Sequence, residues 1–263
     1  MLKMFEIIAF FLRFFKKIYP IFVEKINKRA VEKRHGIYFY TPTKLCQWRG
    51  QTLLKKEPDT IKWIDGFHEK DIFWDIGANI GIYSLYAAIK KGVKVYAFEP
   101  SPFNFQVMAK NIYLNTVSSN ISAFCLALSD KTTIDYLNLK SVNEGAAHTS
   151  FKGNQNEFGE TFKSEYSHAT LGFRADDFLK IFQLPVPNHI KIDVDGSERL
   201  VIEGAEGILK NPALKSILIE LTADLRAQDQ IVFDYILSCG FVLKQKNHPD
   251  GDIRLSNYIF NRL

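Results

Sequence analysis

Asp71-Ile72-Phe73-Trp74-Asp75-Ile76-Gly77-Ala78-Asn79-Ile80-Gly81 decides the fold of this 263-residue chain. An apolar strand ends at Asp75 and runs into a turn framed by Gly77 and Gly81. Asn79-Ile80-Gly81-Ile82-Tyr83-Ser84-Leu85 then opens a helix. Eighteen residues beyond Gly81 a second apolar strand, Val93-Lys94-Val95-Tyr96-Ala97-Phe98, ends in Glu99. Strand, glycine turn, helix, strand and acid, in that order, describe a ligand crevice at the carboxyl ends of parallel strands. Glycine lets backbone approach a ligand closely, and an acid ending the second strand can accept hydrogen bonds from both hydroxyls of a ribose. The turn lacks the G-x-G opening of a dinucleotide site. Asp75 at the rim would repel a pyrophosphate but suits an ammonium group. Ribose, ammonium and sulfonium together describe S-adenosylmethionine.

Working outward, strands and helices alternate from Asp71 onward, the pattern of a parallel sheet. Ser101-Pro102 supplies a cap and a first-turn proline for a helix reaching about Asn115. Further strands are expected at Ile121–Leu128, Ile190–Val194 and Ser216–Leu221, with helices at Glu198–Leu209 and Asp229–Cys239. Phe241–Gln245 and Tyr258–Phe260 suit a closing antiparallel pair. Upstream, Gly36–Tyr40 reads as a short strand and Ile61–Ile64 as part of a helix. Thr132–His189 is a long connection whose middle, about 141–170, is rich in Asn, Gly, Ser, Thr and charge; such stretches inside a domain tend to be functional lids or disordered.

Three blocks, Asp75–Gly81, Ala97-Phe98-Glu99-Pro100 and Lys191-Ile192-Asp193-Val194-Asp195-Gly196, resemble in residues and order those of the FkbM family of class I S-adenosylmethionine-dependent methyltransferases. Trp48-Arg49-Gly50 and Lys56-Glu57-Pro58-Asp59-Thr60-Ile61 resemble a flanking block of part of that family. The similarity covers roughly residues 40–220. It implies a Rossmann-like α/β fold: a mostly parallel seven-stranded sheet with helices on both faces. It also implies a cofactor site of Asp75, Gly77, Asn79, Gly81, Glu99, Asp130 and Asp193, with Asp130 at the family-like position for the adenine amino group. A plain turn role for Asp130 stays open beside that.

Asp193 and Asp195, two apart, would point the same way on a strand and crowd two carboxylates at the rim. One could then act as a base, or both could hold a cation with Glu220. The alternative leaves Asp193 on the cofactor and makes Asp195 the cap of the following helix. No metal-like spacing follows, so no metal is predicted. Of six histidines, His148 lies in Gly145-Ala146-Ala147-His148-Thr149-Ser150, which resembles a short block of some FkbM members. A hydroxyl acceptor gains from a positioned base, and His148 is the candidate. His168 and His189 are weaker candidates, and His35, His68 and His248 lack supporting context.

The net charge of +5 is uneven. Residues 1–35 carry nine Lys or Arg against three Glu, while the remaining 228 residues sum to −1. A nucleic-acid groove is therefore not expected. This leader, read as a basic, aromatic helical extension of a methyltransferase domain at 36–263, has only six uncharged residues in its longest run (Ile7–Leu12), and a membrane span needs about twenty. Docking on an anionic membrane surface and packing on protein, including a homodimer, both stay open. Three scattered cysteines, Cys46, Cys125 and Cys239, read as buried thiols of a reducing, cytoplasmic setting. The expected activity is O-methylation of a hydroxyl on a sugar, polysaccharide, glycolipid or secondary metabolite. The competing class is a non-catalytic, membrane-associated binding or assembly protein with a vestigial pocket.

Overall fold

The computed structural model describes residues 30–249 and 253–263. Its main sheet has seven strands: β3 (Ile72–Ile76), β4 (Lys94–Phe98), β5 (Ile121–Phe124), β10 (His189–Ile192), β11 (Ser216–Thr222), β12 (Phe241–Asn247) and β13 (Leu255–Arg262). Their spatial order is β12-β13-β11-β10-β3-β4-β5. The five strands from β11 to β5 run parallel, and β13 enters antiparallel beside β11, with β12 outside it. The order reverses between β3 and β10, where an open α/β sheet leaves a crevice at its carboxyl edge.

Strand alternation builds a core on each side. Trp74 and Ile76 face one layer, where Phe98 and Phe124 stack on each other and Phe178 meets both edge to face. Helices α5 (Ala175–Ile181), α6 (Glu198–Glu203), α7 (Glu206–Lys210) and α8 (Ala227–Ser238) cover it. Phe73 faces the other layer, covered by α1 (Lys44–Thr52), α2 (Pro58–Asp65), α3 (Ile82–Tyr86, prolonged by a wider turn through Lys91) and α4 (Pro102–Leu114). The oxygen of Ser101 accepts from Asn104 N and Pro102 opens α4, as the cap signal predicts.

The segment after β5 departs from expectation. The strand expected over Ile121–Leu128 breaks after Phe124, and β6 (Ala127–Leu128) leaves for a second sheet with β7 (Thr133–Leu139), β8 (Thr149–Phe151) and β9 (Tyr166–Phe173), ordered β6-β9-β7-β8. The polar connection therefore supplies three strands of a folded sheet, while residues 140–148 and 152–165 between them are irregular. The helix expected over Glu198–Leu209 breaks at Gly204, where a Cβ would lie 2.0 Å from the Ser129 carbonyl oxygen. At the amino end, Val31–Arg34 forms strand β1 paired with β2 (Ile37–Tyr40), not a helix; the rest of the expected helical leader lies outside the described residues. Cys46 is buried as expected, but Cys125 is exposed. Among the described residues no helix is long and apolar enough to cross a membrane.

Opposite the crevice, His189 Nδ1 meets Ser216 Oγ at 2.7 Å and its Nε2 meets Asp71 Oδ2 at 3.0 Å, with Phe67 stacked on the ring at 3.8 Å. Burial pushes His189 down to about 4. This buried relay ties the foot of β10 to β11 and to the lead-in of β3, far from the candidate base role weighed for it.

Candidate functional site

The carboxyl ends of β3, β4 and β10 converge on a cavity of about 270 Å3. Gly77 adopts φ +81° and presses against β10's end so tightly that a Cβ would stand 1.8 Å from the Asp193 carbonyl oxygen. Gly77 N and Ala78 N both donate to Phe98 O, which locks the turn onto β4. Gly77, Asn79, Glu99, His148, Asp193 and Asp195 all line the cavity. Asp75, Gly81 and Asp130 do not.

Each absence has a cause. Asp75 still belongs to β3, and the alternation that sends Trp74 and Ile76 one way turns it the other, behind the turn, where it accepts from Ser84 Oγ at 2.6 Å. Gly81 starts α3 at φ +80° against Met108. Asp130 is taken by Lys152 Nζ at 2.5 Å and by Ser129 Oγ.

Glu99 is buried, and each of its oxygens accepts one backbone N–H: Oε2 from Asn79 at 2.8 Å and Oε1 from Ser101 at 2.9 Å. A carboxylate offers about four acceptor positions; these N–H groups take two, and the Asn104 side chain also acts on the carboxyl to lower its pKa. Burial raises its pKa to about 7. Beside it Phe98, Pro100, Leu126, Ala127 and Leu128 form an apolar flank. Asp193 stands just past β10. Burial would raise its pKa, but the ammonium groups of Lys191, at 2.6 Å, and Lys56 override this and keep it anionic. Glu220 lines the same end. Burial first, then Asp193, push its carboxyl far up, so it holds its proton.

Asp195 is neither on a strand with Asp193, because β10 ends at Ile192, nor a helix cap. Its φ is +52°, and Oδ2 accepts from the backbone N–H groups of His148 at 2.7 Å and Thr149 at 3.1 Å. Glu198, not Asp195, accepts the N–H groups of Val194 and Gly196. Burial, then Asp193, raise Asp195 to about 6.

The opposite wall is the strap 144–149, clamped from both sides. Arg49 Nε donates to Gly145 O at 2.7 Å, Asn104 bridges Gly145 N and Ala146 O, and Asn79 Nδ2 donates to Ala146 O at 2.9 Å. Arg49, Asn104, Glu157 and Arg254 were not singled out in the sequence. For Arg49 the signal was its place in the flanking Trp48-Arg49-Gly50 block; the others meet the site only through long-range folding. His168, by contrast, stacks on Tyr166 in β9 outside the cavity. Among the described residues, His148, Glu157 and Asp195 form the set with metal-donor atoms within 4.8 Å of one another. The Asp193–Asp195–Glu220 set does not assemble.

Residues 75–243 match the Methyltransferase FkbM domain, well over half of the chain. The chain belongs to the FkbM methyltransferase family. Hexuronic acid methyltransferase AglP of Haloferax volcanii is 25% identical over 186 residues, 69% of each chain. The 31-O-demethyl-FK506 methyltransferase FkbM of Streptomyces tacrolimicus is 35% identical over 65 residues, 24% of each chain. The crystal structure of Methyltransferase FkbM from Methylobacillus flagellatus superposes with a TM-score of 0.53 at 19% identity, over 74% of this chain and 44% of that one. At that identity the likeness bears on fold alone, and the fold is that of a class I methyltransferase. This FkbM-family chain has its crevice at the carboxyl edge of the sheet, with the clamped strap 144–149 as one wall.

Proposed function

We propose that this FkbM-family protein is an S-adenosylmethionine-dependent O-methyltransferase acting on a hydroxyl of a sugar or glycan-like metabolite. The observation that carries the cofactor assignment is Glu99: a buried carboxylate lining the cavity beside a glycine turn, with acceptor capacity beyond its two backbone N–H donors, suits the paired hydroxyls of a ribose. The apolar flank of Phe98, Leu126 and Leu128 suits an adenine. Asp193, held anionic by Lys191 and Lys56, suits the ammonium end. Asp75, lying behind the turn, is left with the role of steadying α3. Held by these residues, S-adenosylmethionine would supply an electrophilic methyl group for the acceptor oxygen and leave as a neutral thioether.

His148 is assigned as the proton acceptor for the hydroxyl, and Asp195 fixes the backbone that carries it. Positioning of the acceptor falls to the strap and to the second sheet, so residues 141–170 are assigned as the acceptor side of the methyltransferase domain. The sugar assignment draws on AglP, named for a hexuronic acid, and O-methylation draws on the Streptomyces relative. Calorimetric titration with S-adenosylmethionine and, separately, NAD tests the cofactor. Methyl transfer to a panel of uronate-bearing and neutral glycans then tests the acceptor. Binding of NAD alone, or of neither, would remove the assignment.

A further inference from the structure

Outside the cofactor end, the part of the molecule with the least explained chemistry is the corner where the strap meets residues 156–157. His148 Nδ1 and Glu157 Oε2 are both screened from water and lie 3.4 Å apart, within ion-pair range, and among the described residues neither has a hydrogen-bond partner. The ring as a whole is not buried: 40% of the His148 side chain is accessible, and it lines the cavity. Its exposed edge is therefore the one carrying Nε2. Glu157 reaches Nδ1 because Gly196, at φ +102°, lets residues 156 and 157 pack on its bare Cα; a Cβ there would stand 2.9 Å from the Glu157 Cα. Arg226 fixes the next residue by donating to Phe158 O. From the other side, Asp195 holds the N–H groups of His148 and Thr149, with His148 at φ +63°. Ring and carboxylate thus come from separately anchored segments and meet across one contact.

We propose that Glu157 is a positioning residue for His148: it accepts from Nδ1–H, fixes that tautomer, and leaves the Nε2 lone pair as the proton-accepting position in the cavity. The role of the base rests on the methyltransferase reading above; the tautomer does not. A base turned by a third group is the general arrangement for activating a hydroxyl. In the step, the hydroxyl proton moves to Nε2 and later to water, while the Nδ1 proton stays toward Glu157. The surrounding charges act in the same sense. Glu157, then Asp195, raise His148 against burial and Lys140, and His148 and Arg254 in turn lower Glu157 against its burial.

A cation shared by His148, Glu157 and Asp195 is the competing occupant. The proton reading is favoured because a ligating imidazole is normally steadied through its other nitrogen, and among the described residues His148 Nε2 makes no hydrogen bond. Asp195 Oδ2 is moreover already engaged by two N–H donors.

The test is nitrogen-15 NMR of histidine-labelled full-length protein without cofactor, with His148 assigned through His148→Gln. Wild type is expected to show neutral His148 as the Nδ1–H tautomer, titrating above the ordinary histidine value. In Glu157→Gln, with unfolding temperature checked in parallel, its midpoint should fall by about one pH unit, and Glu157→Asp should restore part of the shift. If methyl transfer is found, the alkaline-rising limb of kcat should move to lower pH by the same amount, with KM for the cofactor unchanged. An Nε2–H tautomer, or identical titrations in wild type and Glu157→Gln, overturns the proposal. So does stoichiometric Mn2+ selectively broadening His148. Failure to bind S-adenosylmethionine would instead overturn the functional reading and leave the NMR result standing.

Discussion

Glu99→Gln isolates charge from shape at the cofactor end. Two effects on stability oppose each other. The amide presents an N–H2 to one of the two backbone donors, Asn79 N or Ser101 N, and leaving that donor unpaired costs about 1–3 kcal/mol. Against this, the wild-type carboxyl has a folded pKa of about 7, above the ordinary 4.5. Between those values the folded state binds the proton more tightly than the unfolded chain. Glu99 therefore stabilises the fold fully below pH 4.5, and that stability is lost as pH rises through 7, by about 3 kcal/mol in all. The variant lacks this loss. It should be less stable than wild type at pH 5 and level with it, or better, at pH 8. Binding should behave differently. A charged acceptor of two ribose hydroxyls is worth about 1.5–3 kcal/mol per bond; losing one weakens the dissociation constant about 10- to 100-fold. In wild type, affinity should also fall as pH drops below 7 and the carboxyl takes its proton; in the variant it should not. Denaturant unfolding at both pH values and calorimetric titration read the two effects separately. An unchanged dissociation constant in Glu99→Gln at pH 8 would refute the assignment of Glu99 to the ribose.

Gly77→Ala combines about 1–2 kcal/mol of left-handed strain with a backbone clash at Asp193 O. Its unfolding temperature should fall by roughly 5 °C or more, with loss of cofactor binding in calorimetry. Arg49→Met frees Gly145 O and loosens the strap; acceptor kcat/KM should drop about tenfold while the cofactor dissociation constant holds. His189 is neutral in the fold, with a pKa lowered to about 4. Its stabilisation is present above pH 6.5 and is lost as pH falls toward 4, and His189→Gln should flatten that limb of a pH series of denaturation midpoints. Exchanging Arg13, Lys16 and Lys17 for Gln should lower flotation with anionic vesicles; equal flotation of the variant and wild type would end the membrane-docking proposal for residues 1–35.

Local signals account for what could be read in advance. The glycine turn, the acid at Glu99, the Ser101-Pro102 cap and the apolar strands β3 and β4 each depend on neighbours within a few residues, and they fold as their pattern requires. The misses are long-range. Asp130 reads as an adenine partner until Lys152, 22 residues on, folds back onto it. Asp195 reads as a helix cap, yet its partners are N–H groups 46 and 47 residues upstream. The second sheet is hard to read because its alternation is blurred: β7 and β9 expose Ile134, Tyr136 and Leu171 and bury Thr170 and Gly172 beside Leu137 and Leu139. Glu157 has no local mark at all, since Gly196, which makes room for it, lies 39 residues away.

Asn79 belongs to two structures at once. Its backbone N–H is held by Glu99, and its side chain holds Ala146 of the strap. A ligand that pulls on the first contact also loads the second, so arrival at either compartment changes the free energy of arrival at the other, by the same amount in both directions. The backbone N–H and the side-chain amide of this one residue thus join the two ends of the cavity.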